Sequence, residues 1–174
     1  MSRGRRLRAC VVLLAFAGFL FTAPTLQAAG LREGDRPPAF TLADLDGRPQ
    51  SLKAYEGKLV LLHFWATWCP YCRKEIPKLK RIHEELASRG VVILAVSVDD
   101  DLDRLRGFVS ENPLPYAVLP DVKTQFSLAG DYDVSGVPVT YLVDRDGRLL
   151  GRIMGPADLF RIVKELLDSP EDAT

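Results

Sequence analysis

The sequence predicts an α/β domain in which a central mixed sheet carries helices on both faces. Two apolar runs of strand length, Leu59–Trp65 and Val91–Val98, are each followed by a helical pattern. Such alternation is typical of parallel strands joined by helical crossovers. A third apolar run, Val139–Val143, is followed by a second strand pattern and a closing helix, so we expect antiparallel strands at one side of the sheet.

The first predicted elements are a hairpin and a buried strand. Residues Phe40–Leu52 bracket an Asp46-Gly47 turn, which favours a short hairpin. Leu59–Trp65 is almost continuously apolar, as expected of a strand that is covered on both faces.

A long helix is predicted over Pro70–Ser88, where apolar residues recur at helical spacing up to Gly90. Pro77 lies inside this pattern, and we expect it to kink the helix because proline removes one backbone hydrogen bond.

The middle of the chain is predicted to add two strands and two helices. Val91–Val98 is rich in β-branched residues and is followed by the acidic stretch Asp99–Asp103, which we expect to open a helix. After Pro113, Tyr116–Leu119 is predicted to be a short strand and Val122–Leu128 a short helix.

The chain closes with a hairpin and a helix. The strand Val139–Val143 turns at Asp146-Gly147 into a partner strand, Arg148–Met154. An amphipathic helix is predicted over Ala157–Leu167, with Pro156 leading into it.

Composition is that of a globular protein, with 47% hydrophobic and 26% charged residues in 174. Lysine plus arginine and aspartate plus glutamate both number 23. Removing the four arginines of the N-terminal segment, Arg3, Arg5, Arg6 and Arg8, leaves 19 basic and 23 acidic residues from Leu31 onward. A slightly acidic domain offers no footprint for a nucleic-acid backbone, so we expect no nucleic-acid partner.

The N-terminal residues 1–30 have the pattern of an export signal, because four arginines precede the apolar run Cys10–Ala23 and small residues follow it. This segment is predicted to be a cleaved signal peptide, or alternatively an uncleaved membrane anchor that supplies the chain's membrane contact. Either form predicts a periplasmic or otherwise extracytoplasmic protein. Residues 31–169 then form one domain, and residues 170–174 a tail.

Cys69 and Cys72 are the cysteines outside this leader, and they lie where a buried strand meets a helix. In an oxidising compartment they can pair only with each other within one chain. Because that loop is very short, the pair contributes little stability, which favours a chemical role. A helix N-terminus stabilises a thiolate, so we expect Cys69 to be exposed and attacking and Cys72 to be the resolving thiol.

Three segments resemble the TlpA/ResA-like thiol-disulfide oxidoreductases of the thioredoxin superfamily. They are the active-site segment Phe64–Pro77, the N-terminal segment Gly34–Phe40 and the loop Gly136–Thr140. The resemblance implies a thioredoxin-like fold with an extra strand and helix between Cys72 and Pro138. It also implies that Pro138 follows a cis bond and faces the dithiol, although X–Pro bonds are generally trans.

The resemblance further implies which residues bind substrate. They are Trp68, Pro70, Tyr71, Val137 and Pro138. In this family the residue before the cis proline offers its backbone to an extended segment of the target. Val137 is therefore expected to hold the target disulfide in line for attack.

Two further residues are predicted to adjust the dithiol. A glutamate at the position of Glu75 modulates the dithiol in the resembling family, and a partly buried carboxylate there can take the proton of Cys72. The alternative is an exposed acid paired with Lys78. His63 stands where thioredoxins keep a buried acid, and it either tunes Cys72 or is a core histidine bonded to backbone.

These residues predict an extracytoplasmic oxidoreductase that reduces protein disulfides and needs no cofactor beyond its own Cys69-Cys72 disulfide. The resemblance implies targets in cytochrome c maturation or copper-centre assembly, with electrons from a membrane thiol carrier. Two alternatives are a copper metallochaperone that uses the cysteine pair and a general disulfide oxidant of envelope folding. A copper site lacks further soft ligands, although His63 can approach, and we expect no resident metal. A peroxiredoxin would need proline and threonine where Leu62 and Ala66 stand.

Overall fold

A computed structural model of the protein describes residues 30–122 and 127–169. The predicted leader, apart from residue 30, and the predicted tail 170–174 lie outside the described residues, so the domain boundaries stay a prediction. Within the described ranges, no helix combines the length and the apolar character that crossing a bilayer requires.

Seven strands form two sheets within the described residues. Leu42–Ala43 (β1) and Pro49–Gln50 (β2) pair antiparallel and form the predicted hairpin. The main sheet has five strands, in the order β5-β4-β3-β6-β7. Their ranges are Leu59–Trp65 (β3), Val91–Ser97 (β4), Ala117–Pro120 (β5), Val139–Val143 (β6) and Leu149–Met154 (β7).

The main sheet is mixed, as predicted. β3 runs parallel to β4, and β4 runs parallel to β5. β6 is antiparallel to both β3 and β7. The register of β3 pairs His63 with Ala95 of β4 on one side and with Thr140 of β6 on the other.

In the part of the chain that the structure describes, four α-helices accompany the sheet: Pro70–Leu86 (α1), Leu102–Glu111 (α2), Leu128–Asp131 (α3) and Leu159–Asp168 (α4). α1 passes through Pro77 and is followed by a 3-10 turn, Ala87–Arg89. Gly90 ends this region with a φ of 88°, a left-handed conformation that glycine adopts without steric cost.

One predicted helix start is confirmed and two need correction. The acidic stretch Asp99–Asp103 opens α2 as predicted, because Asp101 is the N-cap and its side chain accepts hydrogen bonds from the N–H groups of Asp103 and Arg104. The helix predicted over Val122–Leu128 is wrong in its placement. Part of that range lies outside the described residues, and α3 begins at Leu128, where the prediction ends.

The second correction concerns α4, which begins two residues later than predicted. Asp158 is its N-cap and accepts from the N–H of Arg161, so Pro156 lies before the helix. The N–H of Ala157 is bonded to the Glu75 side chain instead of entering the helix.

The two faces of the sheet bury different sets of side chains. Leu61 and Trp65 of β3 face α1, α2 and α4, together with Leu79, Leu105 and Leu159. The opposite face carries an aromatic group that is covered by α3 and the N-terminal segment. In that group Phe64, Tyr132 and Tyr141 have ring centroids 5.3–6.1 Å apart.

The α1 face depends on tightly packed aliphatic side chains, so we expect Ile82→Ala to lower the free energy of unfolding by about 2–5 kcal/mol. Ile82 is fully buried between α1 and the sheet. Chemical denaturation measures the change, with Lys164→Ala on the exposed side of α4 as the control. The control is expected to change stability by no more than about 0.5 kcal/mol, and equal losses in the two variants would contradict the assigned packing.

Candidate active site

The candidate site lies where β3 ends and α1 begins. A disulfide joins Cys69 and Cys72, with Cα atoms 5.3 Å apart. Cys69 is the N-cap of α1, and its Sγ accepts a hydrogen bond from the Cys72 N–H at 3.1 Å. The free N–H groups and the positive end of a helix favour negative charge at this position. The local geometry therefore suits a Cys69 thiolate once the pair is reduced.

The prediction that Cys69 is exposed is wrong for this disulfide form. Cys69 is 3% exposed and Cys72 is fully buried, whereas the neighbouring Trp68 and Tyr71 are 57% and 58% exposed. The Cys69 side chain turns back over the first turn of α1, and the Val137 carbonyl oxygen lies 3.6 Å from its Sγ. Attack on a target therefore needs access along the edge between Trp68 and Val137.

The loop before β6 reaches the disulfide as predicted. The Val137–Pro138 peptide bond is cis. Pro138 is buried and its carbonyl oxygen accepts from the Gly155 N–H at 2.9 Å, while Val137 is half-buried. The peptide before Pro138 is thereby held against Cys69.

A groove of about 450 Å³ opens beside the disulfide. Its lining includes Trp68, Val137, Val98, Ala129 and Val134. The predicted binding residues are thus divided, because Trp68 and Val137 line the groove whereas Pro70 and Tyr71 are exposed on the first turn of α1. Their roles in binding substrate stay a prediction.

Asp99 fixes the segment that carries Trp68 and Cys69. Its carboxyl group is buried and accepts from the Thr67 N–H at 2.9 Å and from the Thr67 hydroxyl at 2.6 Å. The Ser97 hydroxyl donates to the same group at 2.7 Å. This cluster ties the end of β4 to the turn before α1.

Glu75 is buried, at 1% exposure, so the alternative of an exposed acid paired with Lys78 is wrong. Its Oε1 accepts from the Ala157 N–H at 3.1 Å, and the Lys78 ammonium donates to the Ala157 carbonyl instead. Burial raises the pKa of Glu75, and the Ala157 N–H and the Lys78 charge offset part of this rise. The carboxyl group lies one helical turn after Cys72, where it suits proton exchange.

His63 is buried on the same side of the sheet as α1. Its Nδ1 forms a hydrogen bond of 2.8 Å with the Thr140 hydroxyl, so its partner is a side chain rather than the backbone. Its Nε2 lies 3.9 Å from Glu75 Oε2. Burial lowers the pKa of His63 to about 4, which keeps the ring neutral at neutral pH.

Sequence reasoning missed the roles of Asp99, Thr67 and Thr140. The sequence pattern places Asp99 in a helix start. Its position directly after a strand parallel to β3 could have indicated its contact with the turn that carries Thr67. Parallel strands end at the same edge of a sheet, so an acid after β4 lies near the turn after β3. Thr140 gave no signal, because its contact with His63 depends on the register of β6.

No cluster of three or more histidine, cysteine, aspartate or glutamate side chains in the described ranges is placed to hold a metal ion. The reduced pair would offer two sulfur ligands, and the copper alternative depends on a further ligand.

Comparison with known proteins identifies relatives over most of the chain. The sequence profile of the AhpC/TSA family matches residues 34–151. The thiol-disulfide oxidoreductase ResA of Bacillus cereus is 31% identical over 159 residues, which are 89% of this chain and 91% of the relative. The thioredoxin-like protein YneN of Bacillus subtilis is 33% identical over 140 residues, covering 79% and 81% of the two chains.

Solved structures show the same architecture. The crystal structure of a thiol:disulfide interchange protein of the thioredoxin family from Chlorobium tepidum superposes with a TM-score of 0.69 and is 30% identical. The match covers 78% of this chain and 98% of that protein.

The Asp99 cluster generates a prediction about stability. Replacing Asp99 with asparagine puts an N–H₂ group where one of two accepting oxygens stands, so at least one buried donor of Thr67 or Ser97 loses its partner. We expect the free energy of unfolding to fall by about 1–3 kcal/mol.

Denaturant titration measures this loss, with Glu111→Gln as the control because Glu111 is an exposed acid at the end of α2. An Asp99→Asn protein as stable as that control would show that the cluster does not hold the turn.

Proposed function

Since the chain belongs to the AhpC/TSA family and is a TlpA/ResA-like member of the thioredoxin superfamily, it is a thiol-disulfide oxidoreductase, and we propose that it reduces protein disulfides outside the cytoplasm. The observation that carries the proposal is the Cys69–Cys72 disulfide on the N-terminus of α1, with the Val137 carbonyl 3.6 Å from Cys69 Sγ. Leu62 and Ala66 in place of proline and threonine argue against peroxiredoxin chemistry.

In the first step the reduced Cys69 thiolate attacks one sulfur of a target disulfide. A mixed disulfide forms between Cys69 and the target, and the other target sulfur leaves as a thiolate. The N-terminus of α1 stabilises the attacking thiolate, since the Cys72 N–H points at Cys69 Sγ. Cys69 is the nucleophile because it lies at the helix start.

In the second step Cys72 resolves the mixed disulfide. Its thiol loses a proton to Glu75 and attacks Cys69 Sγ, which closes the Cys69–Cys72 disulfide and expels the second target thiolate. Two electrons pass from the protein to the target. The buried position of Glu75 one turn after Cys72 supports its role as proton acceptor, because burial raises the pKa of this carboxyl.

The target binds along the edge between Trp68 and Val137. An extended segment of the target pairs with the Val137 backbone, and the exposed rings of Trp68 and Tyr71 contact apolar side chains around the target cysteine. Pro70 and Pro138 shape this edge without donating an N–H group.

The direction and place of the reaction follow from the resemblance and from the leader pattern in residues 1–30. We assign the protein to the periplasm or an equivalent extracytoplasmic space, where it reduces envelope proteins such as apocytochrome c or copper-centre assembly proteins. A membrane thiol carrier returns two electrons to the Cys69–Cys72 disulfide. The reduction potential tests the direction, since about 30 mV changes the exchange equilibrium tenfold.

The position of Cys69 at the helix start predicts its reactivity in the reduced protein. We expect iodoacetamide to alkylate Cys69 at a lower pH than Cys72, because the free N–H groups of α1 favour the Cys69 thiolate. Mass spectrometry of the two sites against pH measures the order. Faster alkylation of Cys72 would reverse the assignment of Cys69 as the nucleophile and Cys72 as the resolving thiol. The same pH profile for both thiols would leave that assignment without support.

The two-step reaction predicts which variant traps targets. Cys72→Ser is expected to accumulate mixed disulfides with envelope proteins on non-reducing gels, because nothing expels the bound target. The matched Cys69→Ser variant is expected to trap none, because its remaining thiol is buried.

Both variants are made together with Cys10→Ser, so that no further cysteine of the chain forms disulfides. Trapping in equal amounts, or in neither variant, would count against the reductase. Copper binding by the reduced wild type that is lost in His63→Ala would then support the metallochaperone.

A further inference from the structure

Three polar side chains form a buried row on the sheet face that α1 covers. Thr140 and His63 are register partners on β6 and β3, and the Thr140 hydroxyl and His63 Nδ1 are 2.8 Å apart. His63 Nε2 lies 3.9 Å from Glu75 Oε2 on α1. Each of the three residues is at most 2% exposed.

One oxygen of this row has no hydrogen bond. Glu75 Oε1 accepts from the Ala157 N–H, whereas Oε2 is buried and has no partner among the residues that the structure describes. Leaving a buried polar oxygen unpaired is costly. The imidazole nitrogen of His63 is the nearby group that a movement of about 1 Å would bring to hydrogen-bond distance.

The proposed proton exchange requires a hydrogen-bond partner for Glu75 Oε2 that can both donate and accept. If Glu75 takes and returns the Cys72 proton, Oε2 must be paired both as a carboxylate oxygen and as a carboxylic acid. A group that only donates satisfies the first form, and a group that only accepts satisfies the second. A neutral imidazole with one proton can do either, because its tautomer decides which nitrogen donates.

We propose that His63 is a tautomer switch that pairs with Glu75 in both of its protonation states, with Thr140 as the reversible partner on the other ring nitrogen. This inference rests on the proposed role of Glu75 in the reaction. When Glu75 is ionised, His63 donates from Nε2–H to Oε2, and its Nδ1 accepts from the Thr140 hydroxyl. When Glu75 is protonated, Oε2–H donates to Nε2, and Nδ1–H donates to Thr140.

The two states differ by one proton, which is on the Cys72 thiol or on Glu75. The imidazole holds one proton and the Thr140 hydroxyl holds one proton in both states. His63 is therefore a positioning residue, since it acts on Cys72 through Glu75.

The surroundings favour a neutral ring over an imidazolium. Burial lowers the pKa of His63 to about 4, and its register neighbours Ala95 and Thr140 carry no charge. From α1 it faces the Glu75 carboxyl. Glu75 in turn faces the Lys78 ammonium on its own helix and the Ala157 N–H before α4, and both favour its ionised form against the effect of burial.

The tautomer is read directly by ¹⁵N NMR of the reduced full-length protein labelled in its histidines. The chain has two histidines, so a His83→Gln protein gives ring signals from His63 alone. We expect the His63 ring proton to move from Nδ1 to Nε2 as the pH rises through the titration of the Glu75 carboxyl. In Glu75→Gln the ring is expected to keep one tautomer over the same pH range.

A kinetic measurement tests the link to the thiol. The protein with Cys69 in a mixed disulfide with thionitrobenzoate releases that dye when Cys72 attacks. We expect Thr140→Val to slow the release about tenfold, since proton-transfer groups typically contribute one hundredfold or more. Thr140→Ser, which restores a hydroxyl, is expected to return the rate and its pH profile.

A His63 ring that keeps one tautomer through the Glu75 titration, or that becomes an imidazolium there, would overturn the switch. Equal release rates in Thr140→Val and Thr140→Ser would overturn its link to Cys72. Failure of the proposed function gives a different result: the wild type releases no dye, or Glu75→Gln releases it at the wild-type rate. The NMR measurement of the His63 tautomer does not depend on turnover, so the two failures can be told apart.

Discussion

Burial of β3 on both faces is the constraint on which the rest of the structure depends. All seven of its residues, Leu59–Trp65, are buried, so the strand needs a neighbour on each side and a cover on each face. β4 and β6 provide the neighbours, and this pairing brings the end of β4 and the start of β6 to the edge where β3 ends. Asp99, Pro138 and Cys69 meet there for that reason.

The same strand separates two kinds of interior. Phe64 packs against tyrosine rings, while Leu61 and Trp65 pack under α1 among aliphatic residues. His63 alternates onto the α1 side, in an apolar setting that keeps its ring neutral. The strand that leads to Cys69 thus carries aromatic packing on one face and, on the other, His63 of the buried polar row.

Patterns along the chain predicted the elements that hydrophobic burial dictates. The strands Leu59–Trp65 and Val139–Val143 have the predicted bounds. Each is an almost continuous apolar run, and all of its residues are buried in the middle of the sheet. The acidic stretch predicted the start of α2, where Asp101 is the N-cap. The start of α4 at Leu159 is two residues later than predicted, because capping by Asp158 overrides the signal of Pro156. The burial of Cys69 and the Thr140–His63 bond depend on contacts between distant segments, which local patterns do not encode.

The contact between Cys69 and Val137 joins residues 68 positions apart, and this separation has a consequence for biosynthesis. At about 5–20 residues per second, a ribosome adds Val137 roughly 3–14 seconds after Cys69. During that interval the nascent chain carries two thiols without the backbone that later covers them. Because only three positions separate the two cysteines, each thiol has its oxidation partner within the same short segment of chain before the remaining strands are synthesised.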